Sequence, residues 1–388
     1  MTYAAGRTVM DADSHLMELP DFLDDYLHGD DVEHLAKGLF ESRHEILDRA
    51  VAAADKRRTD QEAALQAEER LLRDKGWMAM GGWDPVERSR VLDLLGFEAQ
   101  LVFPTFSPLL YKLSEHVGTY VGADALNRAI ADFCAQDPRL LGVASVSLKD
   151  PQRALTAATK AIESGCAAIL VPSTAPGDRA PSHPDLDPFW AVLAESDTPF
   201  VLHVGGGGTL LDKAFHNNDM PVSDHLGGGE NIRSKDYLAI HHSPAIFLGV
   251  LVLDGVFDRH PSLRGGCIEQ GAAWVPSWIR HLDCAQRSFS RTEEPLTRLS
   301  MKPSEFVRRH LKFTPFPGEP VGWMIEQAGS ELFMFSSDYP HPEGSTDPMA
   351  KFEATLDRIE GPARDRFYAG NFIELMGSRL EAAPVPAF

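Results

Sequence analysis

Cysteine is scarce in this chain. Its four copies in 388 residues, Cys134, Cys166, Cys267 and Cys284, lie far apart and form no Cys-x-x-Cys pair. That excludes a disulfide-stapled scaffold, and it reads as buried free thiols in a reducing compartment. Positive charge is also short: 37 Lys and Arg stand against 57 Asp and Glu, a formal net charge of −20. Nucleic acid is excluded as a partner on that balance, because phosphate binding needs clustered cations. An anionic substrate would need a local positive centre, and a metal ion is the natural candidate. No run comes near the roughly 18 apolar residues needed to cross a bilayer. No basic and then apolar leader precedes Val9-Met10-Asp11, so a cytoplasmic protein without a membrane partner is expected. A G-x-S-x-G turn is missing, which speaks against a serine hydrolase. The glycine runs Gly205–Gly208 and Gly227–Gly229 lack the flanking residues of a phosphate-cradling loop.

What is present is ordinary globular material, 43% hydrophobic and 24% charged, enough for one large core. Eight short apolar runs recur: Thr8–Asp13, Ala99–Pro104, Leu140–Ser147, Cys166–Pro172, Pro199–Val204, Gly266–Glu269, Leu311–Pro315 and Leu332–Ser337. Several are almost wholly apolar, as parallel strands covered on both faces must be. Between them, helical spacing is legible in Ala123–Gln136, which stops at Asp137-Pro138. It is legible again in Pro151–Ser164, which opens on Asp-Pro and ends at Gly165, and in Pro188–Ser196. Strands alternating with helices predict an α/β fold, a (β/α)8 TIM barrel forming one domain over residues 1–388. A doubly wound sheet is the alternative.

Two insertions follow strands. The first, from Phe22 to about Arg90, is charged and helix-prone, notably over Asp60–Asp74, and closes on Gly81-Gly82-Trp83-Asp84-Pro85. Insertions after barrel strands lie on the catalytic face, so it reads as a helical cap over a pocket or a dimer contact. A decorative excursion would look the same. The second, Gly205–Tyr237, is Gly-rich and reads as a mobile loop.

Three places put acids and histidines at predicted strand ends. In Asp11-Ala12-Asp13-Ser14-His15, alternate side chains of a strand share a face, so Asp11, Asp13 and His15 point the same way. His203 ends the apolar run Phe200–His203, where a hydrogen-bonded core histidine competes with a ligand. Asp338 follows Phe335-Ser336-Ser337, where a helix N-cap competes. A barrel brings every strand end to one mouth. His15, His203 and Asp338 can therefore converge there, with Asp13 completing a mixed nitrogen and oxygen site for one divalent ion, zinc before manganese or iron.

At this point the sequence resembles the amidohydrolase-related branch of the amidohydrolase superfamily, which contains aminocarboxymuconate-semialdehyde decarboxylase and γ-resorcylate decarboxylase. The resemblance runs through Asp11–His15, Gly82-Trp83-Asp84-Pro85 with Arg88, Phe200–His203, Gly255–Arg264, Ser337-Asp338-Tyr339-Pro340-His341 and Gly370-Asn371. It implies Asp13, His15 and His203 as metal ligands, and Asp338 as a ligand that also moves a proton. It implies a homodimer as well. Many relatives begin with His-x-His or Glu-x-His, so Asp13 is a departure. A larger one is Cys267-Ile268-Glu269-Gln270-Gly271, where Glu269 takes the place of the decarboxylases' strand-six acid/base histidine. A carboxylate there could act as a base or merely support a helix start.

His242 is a further catalytic candidate at the start of a helix leading to Gly255. His241, His341 and Trp83 are candidate contacts to a small-molecule substrate. On these grounds the leading expectation is a metal-dependent hydrolase, with activated water attacking an amide, lactone or related carbonyl and Asp338 passing the proton. The Glu269 departure places nonoxidative decarboxylation of an aromatic or unsaturated acid second. A noncatalytic ligand-binding barrel would keep the fold and lack the metal.

Overall fold

The computed structural model of the protein describes residues 2–27, 44–105, 117–206, 210–220 and 233–380. Among them, seven strands run parallel in sequence order: β1 (Met10–Leu16), β2 (Ala99–Pro104), β3 (Leu140–Ser145), β4 (Ala168–Leu170), β5 (Phe200–His203), β6 (Gly265–Ile268) and β7 (Leu311–Phe313). All seven are buried along their length, as near-continuous apolar runs require.

The eighth expected strand, Leu332–Ser337, is not a regular strand, yet it stands where one belongs. Phe313 N–H donates to Leu332 O at 2.8 Å and Met334 N–H to Phe313 O at 2.9 Å. On the other flank Ala12 N–H donates to Phe335 O, Asp338 N–H to Asp13 O and His15 N–H to Tyr339 O, at 3.1, 2.9 and 2.7 Å. The segment bonds β7 and β1 and closes the ring, which rules out a doubly wound sheet with its two free edges. It is irregular because Ser337 gives its N–H and hydroxyl to the Asp11 side chain, not to a neighbouring backbone.

Strand alternation divides the core in two. Met10, Ala12, Leu101, Phe103, Leu141, Val143, Leu170, Val201 and Ile268 fill the barrel, closed below by Phe372, Leu375 and Met376 of the helix Asn371–Met376. Val102, Ala144, Ile169, Leu202, Cys267 and Phe313 face outward onto the helices. Gly265 is obligatory on β6, because a Cβ there would lie 2.3 Å from the Phe200 ring. The Asp-Pro helix starts behave as read: Asp84 accepts from Val86 and Glu87 N–H, and Asp150 from Gln152 and Arg153 N–H.

Cys134, Cys166 and Cys267 are buried as expected, but Cys284 is exposed on the outer helix Val275–Phe289. The expectation that no stretch is long and apolar enough to span a bilayer also needs correction. Ser234–Leu253 passes on length and composition. Here it forms the helices Ser234–Ala239 and His242–Leu253, and Phe247, Leu248, Leu251 and Val252 pack into the outer core.

The first insertion contributes the helices His44–Thr59 and Gln61–Glu69 and leads into Pro85–Leu95. It leans on the mouth side of the barrel: Met17 N–H donates to Gly82 O and Gly76 N–H to Pro340 O, both at 2.7 Å. Of the second insertion, residues 207–209 and 221–232, with Gly227–Gly229, lie outside the described residues.

At the opposite end, Asp197 latches the C-terminal segment. Its carboxylate accepts from Arg264, Ser378 N–H and Ser378 Oγ–H. Burial alone would raise its pKa, but Arg264 and Ser378 outweigh burial and hold it at about 2. A folded-state pKa below the unfolded one means stability that is present above about pH 4 and lost as pH falls toward 2. Asp197→Asn is therefore expected to flatten the acid limb of a stability-versus-pH curve, followed by urea unfolding at fixed pH values between 2 and 5. An unchanged limb would refute the latch.

Candidate active site

The site begins with an irregularity in β1. Its register with β2 slips between Asp11 and Ser14: Asp11 pairs with Gln100, whereas Ser14 pairs with Val102. One extra residue on β1 is a bulge, and a one-residue slip exchanges the faces of a strand. Asp11 therefore does not share a face with Asp13 and His15, contrary to the simple alternation. It accepts from Gln100 Nε2 at 2.8 Å and from Ser337 N–H and Oγ–H at 2.8 and 2.6 Å. Burial pushes its carboxyl up to about 7 against the pull of those donors.

Asp13 and His15 are aimed at the mouth. Asp13 Oδ1 lies 3.3 Å from His15 Nε2 and 3.3 Å from His203 Nε2, and His203 Nε2 lies 3.3 Å from Glu269 Oε2. One donor atom from each of Asp13, His15, His203 and Glu269 falls within 4.8 Å of all the others, and all four residues are buried. A second group overlaps it: Asp338 Oδ1 is 3.5 Å from His15 Nε2 and 3.3 Å from His341 Nδ1.

These residues fit a divalent ion on two observations. Neither ring nitrogen of His15 has a hydrogen-bond partner among the described residues, a deficit of about 1–3 kcal/mol for each buried polar group, which a coordinate bond would remove at one of the two. His203 Nδ1 faces Val204 O at 3.1 Å. A carbonyl only accepts, so Nδ1 carries a proton and Nε2 is the nitrogen turned toward the acids, the orientation of a metal-binding imidazole. Contacts of 3.3 Å are long for charged hydrogen bonds. They match the edge of a polyhedron with bonds of about 2.1 Å, roughly 3.0–3.4 Å.

The electrostatics divide the three histidines. Burial, then the neighbouring His341 and His203, hold His15 well below the usual imidazole range, so it is neutral. Burial lowers His203 too, but the Asp13 carboxylate outweighs it and the net shift is upward. His341 is likewise opposed by burial, yet Asp338 pushes it up to about 9. Its ring stacks on His15 with centroids 3.5 Å apart, and its Nε2 meets Thr105 Oγ1 at 3.0 Å.

Backbone strain marks the two strand-end acids. Glu269 and Asp338 have φ of +52° and +55°, left-handed values that side-chain-bearing residues rarely adopt. Asp338 caps no helix. At the turn after β6, Glu319 accepts from Ala272, Ala273 and Phe316 N–H.

Neither His241 nor His242 joins either donor group. His242 is exposed at its helix start, and His241 stacks on Trp274 with ring centroids 5.6 Å apart. Trp83 donates its indole N–H to Trp77 O and lies beneath the Arg58 guanidinium, in the packing of the insertion.

Sequence reasoning assigned no role to Arg88. It is fully buried and donates to His15 O, to Gly81 O at 2.7 Å and to Gln100 Oε1 at 3.4 Å, beside the Tyr339 ring. Thr105 and Lys75, whose Nζ reaches Ser345 O beyond the Asp338 turn, were also missed. For Arg88 the available signal was its place in the Trp83-Asp84-Pro85 phrase. Thr105 and Lys75 carried none.

The family model described as Amidohydrolase matches residues 10–371. A γ-resorcylate decarboxylase of Rhodococcus jostii is 24% identical over 280 residues, covering 66% of this chain and 80% of that protein. Among solved structures, an amidohydrolase of Mycobacterium avium subsp. paratuberculosis superposes with a TM-score of 0.70 at 20% identity, over 96% of this chain and all of that one. A 5-carboxyvanillate decarboxylase of Novosphingobium aromaticivorans, solved with manganese and a nitrobenzoic acid, superposes with a TM-score of 0.64 at 18% identity, over 97% and 99%. At such identities the superpositions establish the shared fold.

The γ-resorcylate decarboxylase corrects the expectation of a hydrolase, because the activity named for that sequence relative is a decarboxylation. The physical reason for the error is that the ligand pattern is common to both reactions. Hydrolysis and decarboxylation each ask the ion to hold and polarise an oxygen, and the ligands alone do not say which bond then breaks.

Proposed function

The chain belongs to the amidohydrolase family, and from that premise we propose that it is a metal-dependent, nonoxidative decarboxylase of a small aromatic or unsaturated carboxylic acid. The observation that carries this reading is the meeting of the Asp13, His15, His203 and Glu269 donors with the Asp338–His341 pair at one barrel mouth. Asp13, His15, His203 and Asp338 are the residues assigned to hold the ion. Two imidazoles with carboxylates suit zinc and manganese alike.

When bound, the metal supplies a Lewis-acid anchor for the substrate carboxylate. Loss of CO₂ leaves an electron pair on carbon, and a proton must take it up. His341 holds a proton at neutral pH, with Nδ1 3.3 Å from Asp338 Oδ1 and Nε2 oriented by Thr105. Asp338, facing both His15 and His341, is positioned to pass that proton to the carbon.

The test is a panel of hydroxybenzoates and unsaturated acids given to manganese- or zinc-loaded protein in D₂O. The expected product has lost CO₂ and carries one deuterium at the carbon that bore the carboxylate. Asp338→Asn is expected to slow turnover by about 10²–10⁴-fold, the range of general acid–base catalysis. Metal-loaded protein that releases no CO₂ from any member of the panel would sink the reading.

A further inference from the structure

We infer that Glu269 is itself a ligand of the metal, a fifth donor beside Asp13, His15, His203 and Asp338. The inference rests on the metal-dependent reading above and adds a ligand to it.

The first support is the shape of the donor set. Glu269 Oε2 stands at the same 3.3 Å from His203 Nε2 as Asp13 Oδ1 does. A single ring proton on His203 Nε2 could serve one of these two carboxylates, whereas one divalent ion between them serves both and His15 as well. The Asp13–His203–Glu269 spacing is that of three ligands around one centre.

The second support is the backbone. β6 ends at Ile268, and Glu269 adopts φ +52° with its N–H fixed on Thr314 Oγ1 at 2.9 Å. That turn tips the side chain over the barrel mouth, beside the donors carried by β1 and β5. Glycine would take the conformation without strain, so the glutamate is retained there at a conformational cost. The third support is that its alternative structural task is filled, since Glu319 holds the three amides at the following turn.

A side chain kept for the fold and one kept for a metal behave oppositely when removed. Without metal, Glu269 brings a carboxylate against Asp13 and a strained φ, so its loss should relieve the apoprotein. With metal, its loss should weaken binding. The experiment is titration of Mn²⁺ into the metal-free full chain by calorimetry, for wild type, Glu269→Gln and Glu269→Gly. It is paired with absorption spectra of the Co²⁺-loaded forms and melting of the apoproteins.

Both variants are expected to raise the Kd for Mn²⁺ by at least about tenfold and to change the Co²⁺ spectrum, with apoprotein melting temperatures no lower than that of wild type. Mn²⁺ affinity and Co²⁺ spectrum unchanged in both variants, with wild type binding metal, would overturn the Glu269 assignment alone. A lowered apoprotein melting temperature in both variants with unchanged affinity would make Glu269 a structural residue. Failure of wild type to bind Mn²⁺ would overturn the metal-dependent reading and this inference together.

Discussion

Replacing His15 and His203 together by alanine is expected to abolish stoichiometric metal and to cut decarboxylation by more than about 10⁴-fold. Loss of an outer partner alone typically costs 10–100-fold in metal affinity, and here two direct donors disappear. The two histidines supply the only nitrogen donors of the four-residue group. His15 is neutral because burial and its histidine neighbours forbid the cation, and His203 has its Nδ1 proton committed to Val204 O. His15 therefore presents a lone pair without first losing a proton, whereas the Asp13 carboxylate that raises His203 favours its protonated form, so metal binding there competes with a proton. The double variant leaves Asp13 and Glu269 facing one another across an empty gap. Elemental analysis after dialysis, with turnover measured on whichever acid of the panel loses CO₂, checks the expectation. Full retention of metal in the double variant would mean that the ion sits elsewhere, and the barrel-mouth assignment would fall.

Much of this site could be read from the sequence because barrel topology does the convergence. A histidine at the end of β5 and an Asp-x-His at the end of β1 are distant in the chain. A closed parallel ring delivers both to one rim whatever the helices between them do. Asp338 was legible for the same reason, although its segment makes no regular strand. Glu269 was seen, but its direction was not. Whether it points at a helix start or into the mouth depends on one left-handed φ, and the residue type does not favour that value. The bulge in β1 was hidden too. Strict alternation would have put Asp11 with Asp13, and only the register against β2 separates them. The reaction was misjudged for a different reason: the ligands describe how an oxygen is held and are silent about which bond breaks.

The backbone that carries the proposed ligands is held by a buried arginine, and Arg88→Met is expected to destabilise the protein by about 3–5 kcal/mol. Arg88 donates to three acceptors, His15 O, Gly81 O and Gln100 Oε1, none of which water reaches easily. Each buried acceptor left without a donor costs about 1–3 kcal/mol, and methionine supplies none. The damage does not stop at Arg88. Gln100, released on one side, is the donor that steadies Asp11, and Asp11 in turn holds the Ser337 N–H and hydroxyl that keep the eighth segment against β1. The arginine, with the Tyr339 hydroxyl on Met80 O, thus ties the first insertion to both backbone pieces that present Asp13, His15 and Asp338. Lysine is not expected to rescue it, because one ammonium cannot reproduce a planar fork reaching three directions. Urea unfolding measures the stability loss, and Mn²⁺ titration of the still-folded protein is expected to show affinity weakened about 10–100-fold. A folded Arg88→Met protein within about 0.5 kcal/mol of wild type, a shift ordinary for a surface change, would show that the arginine is dispensable and that the strand ends are held by their own ladder alone.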